Sequence, residues 1–442
     1  MQTLQEKIDA AGGAVAMLRN AKTGPYVFPV PQEHSNWRDE QRAWSESAVL
    51  FDQSFHMTDV NFRGPGLHRL LAENSVNNYT RLAPLKAFQF TTLAGSGKII
   101  ADGIGLCHQD GSVSIIGKPT PGNYLAWIAE TEGHDVEITR DARTIEGNVE
   151  RRNYRFQLHG PAAYAIFERA MGRKLPDDMR FFGVYELELG GLKATSLRHG
   201  MTGGEGLEFW GPFEEYNRVL ATILEAGEPL GLKRGGARSY GSAGSWSGWV
   251  GSILPAVYSG EDMAAFRLSM PGNCFEGILS LGGSFVSNEI EDFYFDPWDV
   301  GYNRFVHWEH EFRGRDALLA MQDEPHRRKA WLRWRDEDVM AIWKSQFGTG
   351  PRAKFLEWPW GQYANSTFDA VRKDGVPVGI SINPTYTVQA GGWFSVGVLD
   401  EAAAYDDEVV VTWGEPEGGT EKPTVEPHAQ VEVHAVVATS PV

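Results

Sequence analysis

The residues with the means to do chemistry lie in a few scattered segments. Arg198-His-Gly-Met-Thr-Gly-Gly-Glu-Gly-Leu-Glu208-Phe sets a carboxylate inside an apolar strand pattern. Such an acid either faces water or is buried and hydrogen-bonded, because a buried carboxylate without donors is costly. In the buried case it can grip the N–H donors of a flat heterocycle. Phe51-Asp-Gln53-Ser-Phe-His56-Met and Gly97-Lys-Ile-Ile-Ala-Asp102-Gly pose the same choice between structural and ligand-binding polar groups. Gly235-Gly-Ala-Arg-Ser-Tyr240-Gly-Ser-Ala-Gly-Ser-Trp246-Ser-Gly-Trp249 is glycine-rich but lacks the lysine and spacing of a nucleotide loop. It reads as a mobile loop, with Tyr240 in a turn. No phosphate-binding loop, dinucleotide fingerprint or His-Glu-x-x-His motif occurs. The two cysteines, Cys107 and Cys274, are far apart, which excludes a disulfide scaffold and a cysteine-rich metal centre.

Several elements must position these groups. Thr3-Leu-Gln-Glu6 reads as a capping box opening a short helix that Gly12-Gly13 ends. A strand, Gly-Pro, helix unit recurs at Gly64-Pro65, Gly160-Pro161 and Gly211-Pro212, with proline expected at the first helical position. Gly172 and Gly227 suit the ends of the second and third helices. The third helix gathers Tyr216, Val219, Leu220, Ile223 and Leu224 on one face, which fits packing on a sheet. Strand patterns run over 88–93, 99–106, 113–116 and 185–197, and Pro, Gly and strand runs dominate beyond about residue 345. The fold class is therefore α+β with a C-terminal all-β module.

The chain's 442 residues allow about three domains. Its net charge of −17 makes nucleic acid and anionic membranes poor partners. The opening residues lack a signal-peptide pattern, and no stretch approaches a membrane span, so a cytoplasmic location is expected.

Taken together, the segments resemble the glycine-cleavage T-protein family of tetrahydrofolate-dependent enzymes. The marks are the apolar run ending in Phe51-Asp, Gly-x-Ile-x-x-Asp102, Gly-x-Glu208 and Phe312-Arg-Gly-Arg-Asp-Ala-Leu318. More closely, the sequence resembles the bacterial aryl-methyl-ether demethylases of that family, those acting on vanillate, 3-O-methylgallate and syringate. The marks of this closer likeness are Ser35-Asn-Trp-Arg-Asp-Glu-Gln41, Ala48-Val-Leu-Phe-Asp-Gln53, Arg198-His-Gly-Met201, Gly282-Gly-Ser-Phe-Val286, Gly301-Tyr302 and Thr424-Val-Glu-Pro-His428.

The resemblance implies a three-domain fold around a central opening. Residues 1–55 and 148–255 would form a discontinuous folate-binding domain, and 56–147 a second α+β domain. Residues 256–345 would complete the core, and 346–442 would form the β-rich C-terminal domain. It implies tetrahydrofolate as methyl acceptor, a small methoxyarene as substrate, no metal and no obligate protein partner. Glu208 then matches the acid that binds the pterin, and Trp249 a tryptophan at the folate. Gln53, His56, Gln89 and Gln157 match polar residues around folate and substrate. Tyr240 falls at the methoxy group, with His56 and Asp102 as its catalytic companions. Lys118 stands where those demethylases carry a carboxylate-binding arginine, and Phe28 where tyrosine is expected. Gly244 and Trp246 also depart from the demethylase pattern, which implies an altered substrate pocket. Two other readings remain open: an aminomethyl- or N-methyl-directed folate enzyme, and a non-catalytic folate-binding protein.

Overall fold

The computed structural model describes residues 2–24, 28–143, 151–202, 204–419 and 422–442; the boundary expected at 147/148 lies outside them. The chain opens with helices α1 (Leu4–Ala10), α2 (Ala14–Arg19) and α3 (Trp37–Glu46), then strand β1 (Ala48–Asp52). It next builds a separate sheet from β2 (Thr58–Arg63), β3 (Lys86–Leu93), β4 (Ile99–Cys107), β5 (Val113–Gly117) and β6 (Glu137–Asp141). Helix α4 (Leu67–Asn74) follows β2, and α5 (Pro119–Thr131) follows β5. The chain returns through β7 (Asn153–His159), α6 (Ala163–Met171), β8 (Val184–Leu189), β9 (Leu192–Leu197) and β10 (Gly206–Pro212). Then come α7 (Tyr216–Gly227), β11 (Leu232–Gly235), α8 (Ala237–Trp246) and α9 (Ala264–Ser269). The remainder comprises β12 (Leu281–Gly282), α10 (Arg315–Met321), β13 (Arg328–Trp334), α11 (Asp336–Ser345), β14 (Ser366–Lys373), β15 (Val376–Thr387), β16 (Gly392–Leu399), β17 (Glu408–Trp413) and β18 (Val431–Ala438).

The first sheet runs β11-β1-β7-β10-β9-β8 and the middle sheet β3-β4-β5-β2-β6. The third runs β12-β14-β15-β16-β13-β18-β17, and a further β14–β17 pairing closes it into a barrel. The barrel therefore takes β13 and the flanking α11 from residues before 346. Their Leu332, Trp334, Val339 and Ile342 share its apolar core. The motif ending in His428 serves the same module. His428 Nε2 accepts from the Glu415 backbone N–H at 2.8 Å, beside the buried Lys354–Glu415 ion pair. Among the described residues no helix is long and apolar enough to cross a membrane.

Local chemistry explains most elements. Thr3 and Glu6 do form a reciprocal capping box. Gly64 and Gly160 hold φ of 145° and 119°, conformations that favour glycine, where each strand turns into its helix. The prolines do not open the helices, however. Helices α4 and α6 begin at Leu67 and Ala163, and Pro212 is the last residue of β10. Helix α7 likewise runs through Gly227, and the left-handed stop comes at Gly231 with φ 76°.

The largest departure from expectation is α8, which is a helix where composition reads as loop. Gly241 and Gly244 each cost about 1 kcal/mol in a helix, and packing offsets this. The Trp360 indole lies over Gly241, where a Cβ would meet its ring at 1.8 Å. Its Nε1 donates to the Arg238 carbonyl at 3.0 Å, and Trp331 Nε1 donates to the Ser245 carbonyl at 3.0 Å. Helix α3 holds the other end. Glu40 accepts from Gly236 N and Ser239 Oγ, both at 2.8 Å, and Gln41 Nε2 donates to Ser242 Oγ at 2.9 Å. Gly241→Ala is therefore expected to cost about 1–3 kcal/mol through overpacking. The check is the denaturant midpoint; an unchanged midpoint would mean that Trp360 does not brace the helix.

Candidate active site

Side-chain alternation in the first sheet separates a core face from a site face. Leu50, Phe156, Leu158, Leu207 and Phe209 join the apolar core with α6 and α7. The intervening residues point the other way. Phe51, Gln157 and Glu208 are cross-strand neighbours in β1, β7 and β10, so they form one row on the site face. Arg155 and Gln53 extend that face by the same period of two.

Glu208 is 1% exposed, which excludes the outward-facing reading of this acid. Arg155 Nη1 donates to its Oε1, and the guanidinium also lies over the Trp210 ring at 4.6 Å. Glu208 Oε2 faces His199 Nδ1 at 3.8 Å. Gln157 Nε2 reaches the same His199 nitrogen at 3.4 Å.

Tyr240 enters this face from α8. Its hydroxyl lies 2.8 Å from His56 Nε2 and accepts from Gln53 Nε2 at 3.2 Å. Gln53 Nε2 also donates to Gln157 Oε1 at 3.1 Å, linking the tyrosine to the Glu208 row. Phe28, Phe51 and His56 surround the Tyr240 ring at centroid distances of 5.7, 5.2 and 4.9 Å. Burial pushes the His56 pKa down to about 3, with Arg143, Arg151 and Arg155 adding to the effect. His56 is therefore a neutral imidazole at pH 7.

Gln89, Asp102, Lys118 and Trp249 form a second cluster. Asp102 Oδ2 accepts from Tyr302 Oη at 2.8 Å and Gln89 Nε2 at 3.2 Å. Trp249 is 43% exposed, and its indole helps to hold the Asp102 pKa down. Burial raises the Asp102 pKa, opposed by the Tyr302 hydrogen bond and the Lys118 charge. Lys118 precedes α5 and donates to the Gly251 carbonyl. Its side chain is open to a cleft, yet enough protein crowds the ammonium to lower its pKa to about 8. Asp102, Lys118, Phe275, Ile253 and Asn365 line that cleft between the middle sheet and the barrel.

The expected site residues thus fall into two groups: Phe28, Gln53, His56, Gln157, Glu208 and Tyr240 in one, and Gln89, Asp102, Lys118 and Trp249 in the other. Arg143 relates them, since its charge acts on both His56 and Lys118, and its guanidinium lies over Phe275 at 4.7 Å. Tyr240 and Trp249 are further tied through α8, because Trp249 N donates to the Gly244 carbonyl at 3.0 Å. Trp246 packs towards the barrel, 6.3 Å from the Phe394 ring. Sequence reasoning passed over Arg155, His199, Arg143 and Tyr302 as site residues. His199 and Tyr302 lie inside segments already conspicuous, Arg198-His-Gly-Met201 and Gly301-Tyr302. Nothing in the local pattern distinguishes Arg155 or Arg143 from other arginines.

Comparison with known proteins adds a second line of observation. A family model described as the GCVT N-terminal domain matches residues 5–243. The chain is 40% identical over 443 aligned residues to a syringate O-demethylase of Sphingobium sp. (strain NBRC 103272 / SYK-6), covering 100% of this chain and 96% of that one. It is 26% identical to a sesamin methylene transferase of Sinomonas sp. (strain No.22), covering 88% and 86%. Its fold matches the crystal structure of the glycine cleavage system aminomethyltransferase T from Bartonella henselae, with a TM-score of 0.60, 17% identity and coverage of 96% and 94%.

Proposed function

The chain belongs to the GCVT family, that of the glycine-cleavage T-protein, and from this premise we propose its reaction. It O-demethylates a methoxy-substituted aromatic compound and passes the methyl group to N5 of tetrahydrofolate. One observation carries the reading: the Tyr240 hydroxyl, held by Gln53 and His56 in an aromatic cage, on a chain 40% identical throughout to a syringate O-demethylase.

The residues present fit a folate. Gln53 Oε1 is buried and has no hydrogen-bond partner among the described residues. With Glu208 Oε2 it gives the site face an acceptor character suited to the N–H edge of a pterin. Trp249 offers a partly exposed indole for the remainder. Tetrahydrofolate would supply the nucleophilic N5 amine and carry away the methyl group, and the proton N5 gives up balances the one gained by the phenol.

The protein's part is to manage the leaving oxygen. As the methyl carbon leaves, the electron pair of the broken C–O bond stays on the arene oxygen. Tyr240 donates a hydrogen bond or its proton to that oxygen. Gln53 N–H, and His56 N–H in its Nε2-protonated tautomer, stabilise the charge then placed on the tyrosine oxygen. The rings of Phe28 and Phe51 exclude water and orient the arene. Asp102 and Tyr302 hold the opposite side of the site. Both cysteines are free thiols, in keeping with a cytoplasmic reaction. A panel of methoxybenzoates, guaiacyl compounds and methylenedioxyarenes, incubated with tetrahydrofolate, tests the reading. Phenol and methyl-folate are expected in equal amounts from at least one methoxyarene. Folate binding without methyl-folate from any of them would overturn it.

Lys118 reads an anionic or strongly polar group on the arene. As a point charge it accepts a carboxylate with less geometric demand than an arginine fork. Lys118→Met is expected to raise KM for a methoxybenzoate roughly tenfold or more at pH 7, the worth of a charged hydrogen bond. An uncharged analogue should be nearly unaffected. The sign with pH follows from the lowered pKa. The ammonium is charged below pH about 8 and loses its proton above it, so wild-type KM for the acid rises above that pH. Lys118→Arg should abolish this rise. Equal effects on both substrates would remove Lys118 from substrate recognition.

A further inference from the structure

We propose a divalent-cation site, of the class zinc occupies, formed by Glu73, Glu132 and His134 at the ends of α4 and α5. None of the three belongs to the candidate active site. His134 Nε2 and one carboxylate oxygen from each glutamate all lie within 4.8 Å of one another. Acidic clusters are common on protein surfaces, and the histidine sets this one apart. Its side chain is 1% exposed, and Nε2 has no hydrogen-bond partner among the described residues.

That buried nitrogen faces Glu132 Oε2 at 3.6 Å and Glu73 Oε2 at 3.9 Å. Both distances exceed a hydrogen bond. They are close to the spacing of ligands that share a metal: two donors about 2.1 Å from a tetrahedral zinc stand roughly 3.4 Å apart. One imidazole and two carboxylates leave a fourth position for water, a donor set suited to zinc.

The surroundings orient each ligand. Arg313 Nη2 donates to Glu132 Oε1 at 2.7 Å, and Arg69 Nε donates to Glu73 Oε1 at 2.8 Å. Each carboxylate thus uses one oxygen on an arginine and turns the other towards His134, the arrangement in which outer groups fix metal ligands. The turn carrying His134 is itself held, because Gly66 N donates to the Asp135 carbonyl at 3.0 Å. The Phe312-Arg-Gly-Arg segment gains a role here, since Arg313 N also donates to the Glu73 carbonyl at 2.9 Å. A bound cation would staple α4, the turn after α5 and the Arg313 segment together.

The test titrates zinc chloride into the chelator-stripped full-length protein against a chromophoric competitor, and measures Tm with and without zinc. One equivalent is expected to bind and to raise Tm. His134→Ala should weaken binding roughly 100-fold and Glu132→Gln at least about tenfold, each abolishing the rise in Tm. Methyl transfer should persist in both variants. If His134→Ala does not fold, His134→Gln and Glu132→Gln decide in its place. A wild-type Kd weaker than about 100 μM would overturn the site. Equal binding by wild type and the His134 variant would overturn it too, by placing the zinc elsewhere.

Discussion

Tyr240→Phe is expected to lower kcat roughly 10²–10³-fold while folate affinity stays within about twofold, because one hydrogen-bond donor at the departing oxygen is lost. The substitution removes a single oxygen from a ring packed among Phe28, Phe51 and His56. Gln53 keeps its bond to Gln157 Oε1, so the linkage towards Glu208 survives. The variant should therefore fold as the wild type does, with the loss confined to the chemical step. Single-turnover methyl transfer, with folate affinity measured separately by calorimetry, checks this. Wild-type turnover in the variant would demote Tyr240 to a packing residue.

Glu208 is expected to show the opposite division, with loss in folate binding rather than in chemistry. A buried carboxylate hydrogen-bonded to pterin N–H groups contributes about 1.5–3 kcal/mol. Glu208→Gln should thus weaken folate affinity roughly tenfold to a hundredfold. The choice of glutamine matters, because Arg155 donates to Glu208 in a nearly solvent-free setting. Glu208→Ala strands that guanidinium, and breaking a buried pair from one side costs about 3–5 kcal/mol of stability. Alanine should accordingly lower the denaturant midpoint as well as the affinity, whereas glutamine keeps an acceptor for Arg155. Unchanged folate affinity in a folded Glu208→Gln protein would remove Glu208 from the site.

The first sheet was the most legible part of the molecule. An acid inside Gly-Leu-Glu208-Phe could be placed on a strand, and burial of its face followed once Phe51 and Gln157 proved to be its neighbours in register. Helix α8 was illegible for a physical reason. Its glycines weaken the local helical signal, and the groups that offset this, Glu40, Trp331 and Trp360, are remote in sequence. The prolines misled in a smaller way. Their fixed φ suits a helix start, but the tight turns at Gly64 and Gly160 place each proline ahead of its helix. Lys118 was found through resemblance, and Asp102 stood out in its own strand but took a catalytic role only through resemblance. Their cleft depends on Phe275 and Asn365, which no local pattern connects to either residue.

The bracing of α8 by the barrel has a consequence for how the protein is made. A nascent chain emerges N-terminus first, at about 5–20 residues per second. Tyr240 thus leaves the ribosome well ahead of Trp331 and Trp360, whose indoles donate to the Ser245 and Arg238 carbonyls respectively. Ser245 Oγ also waits for Thr385, whose hydroxyl reaches it at 3.0 Å. A ten-residue helix with two internal glycines is marginal on its own. Translation must therefore pass β15 before the tyrosine is locked in place, and a chain released earlier carries the first sheet without a braced α8.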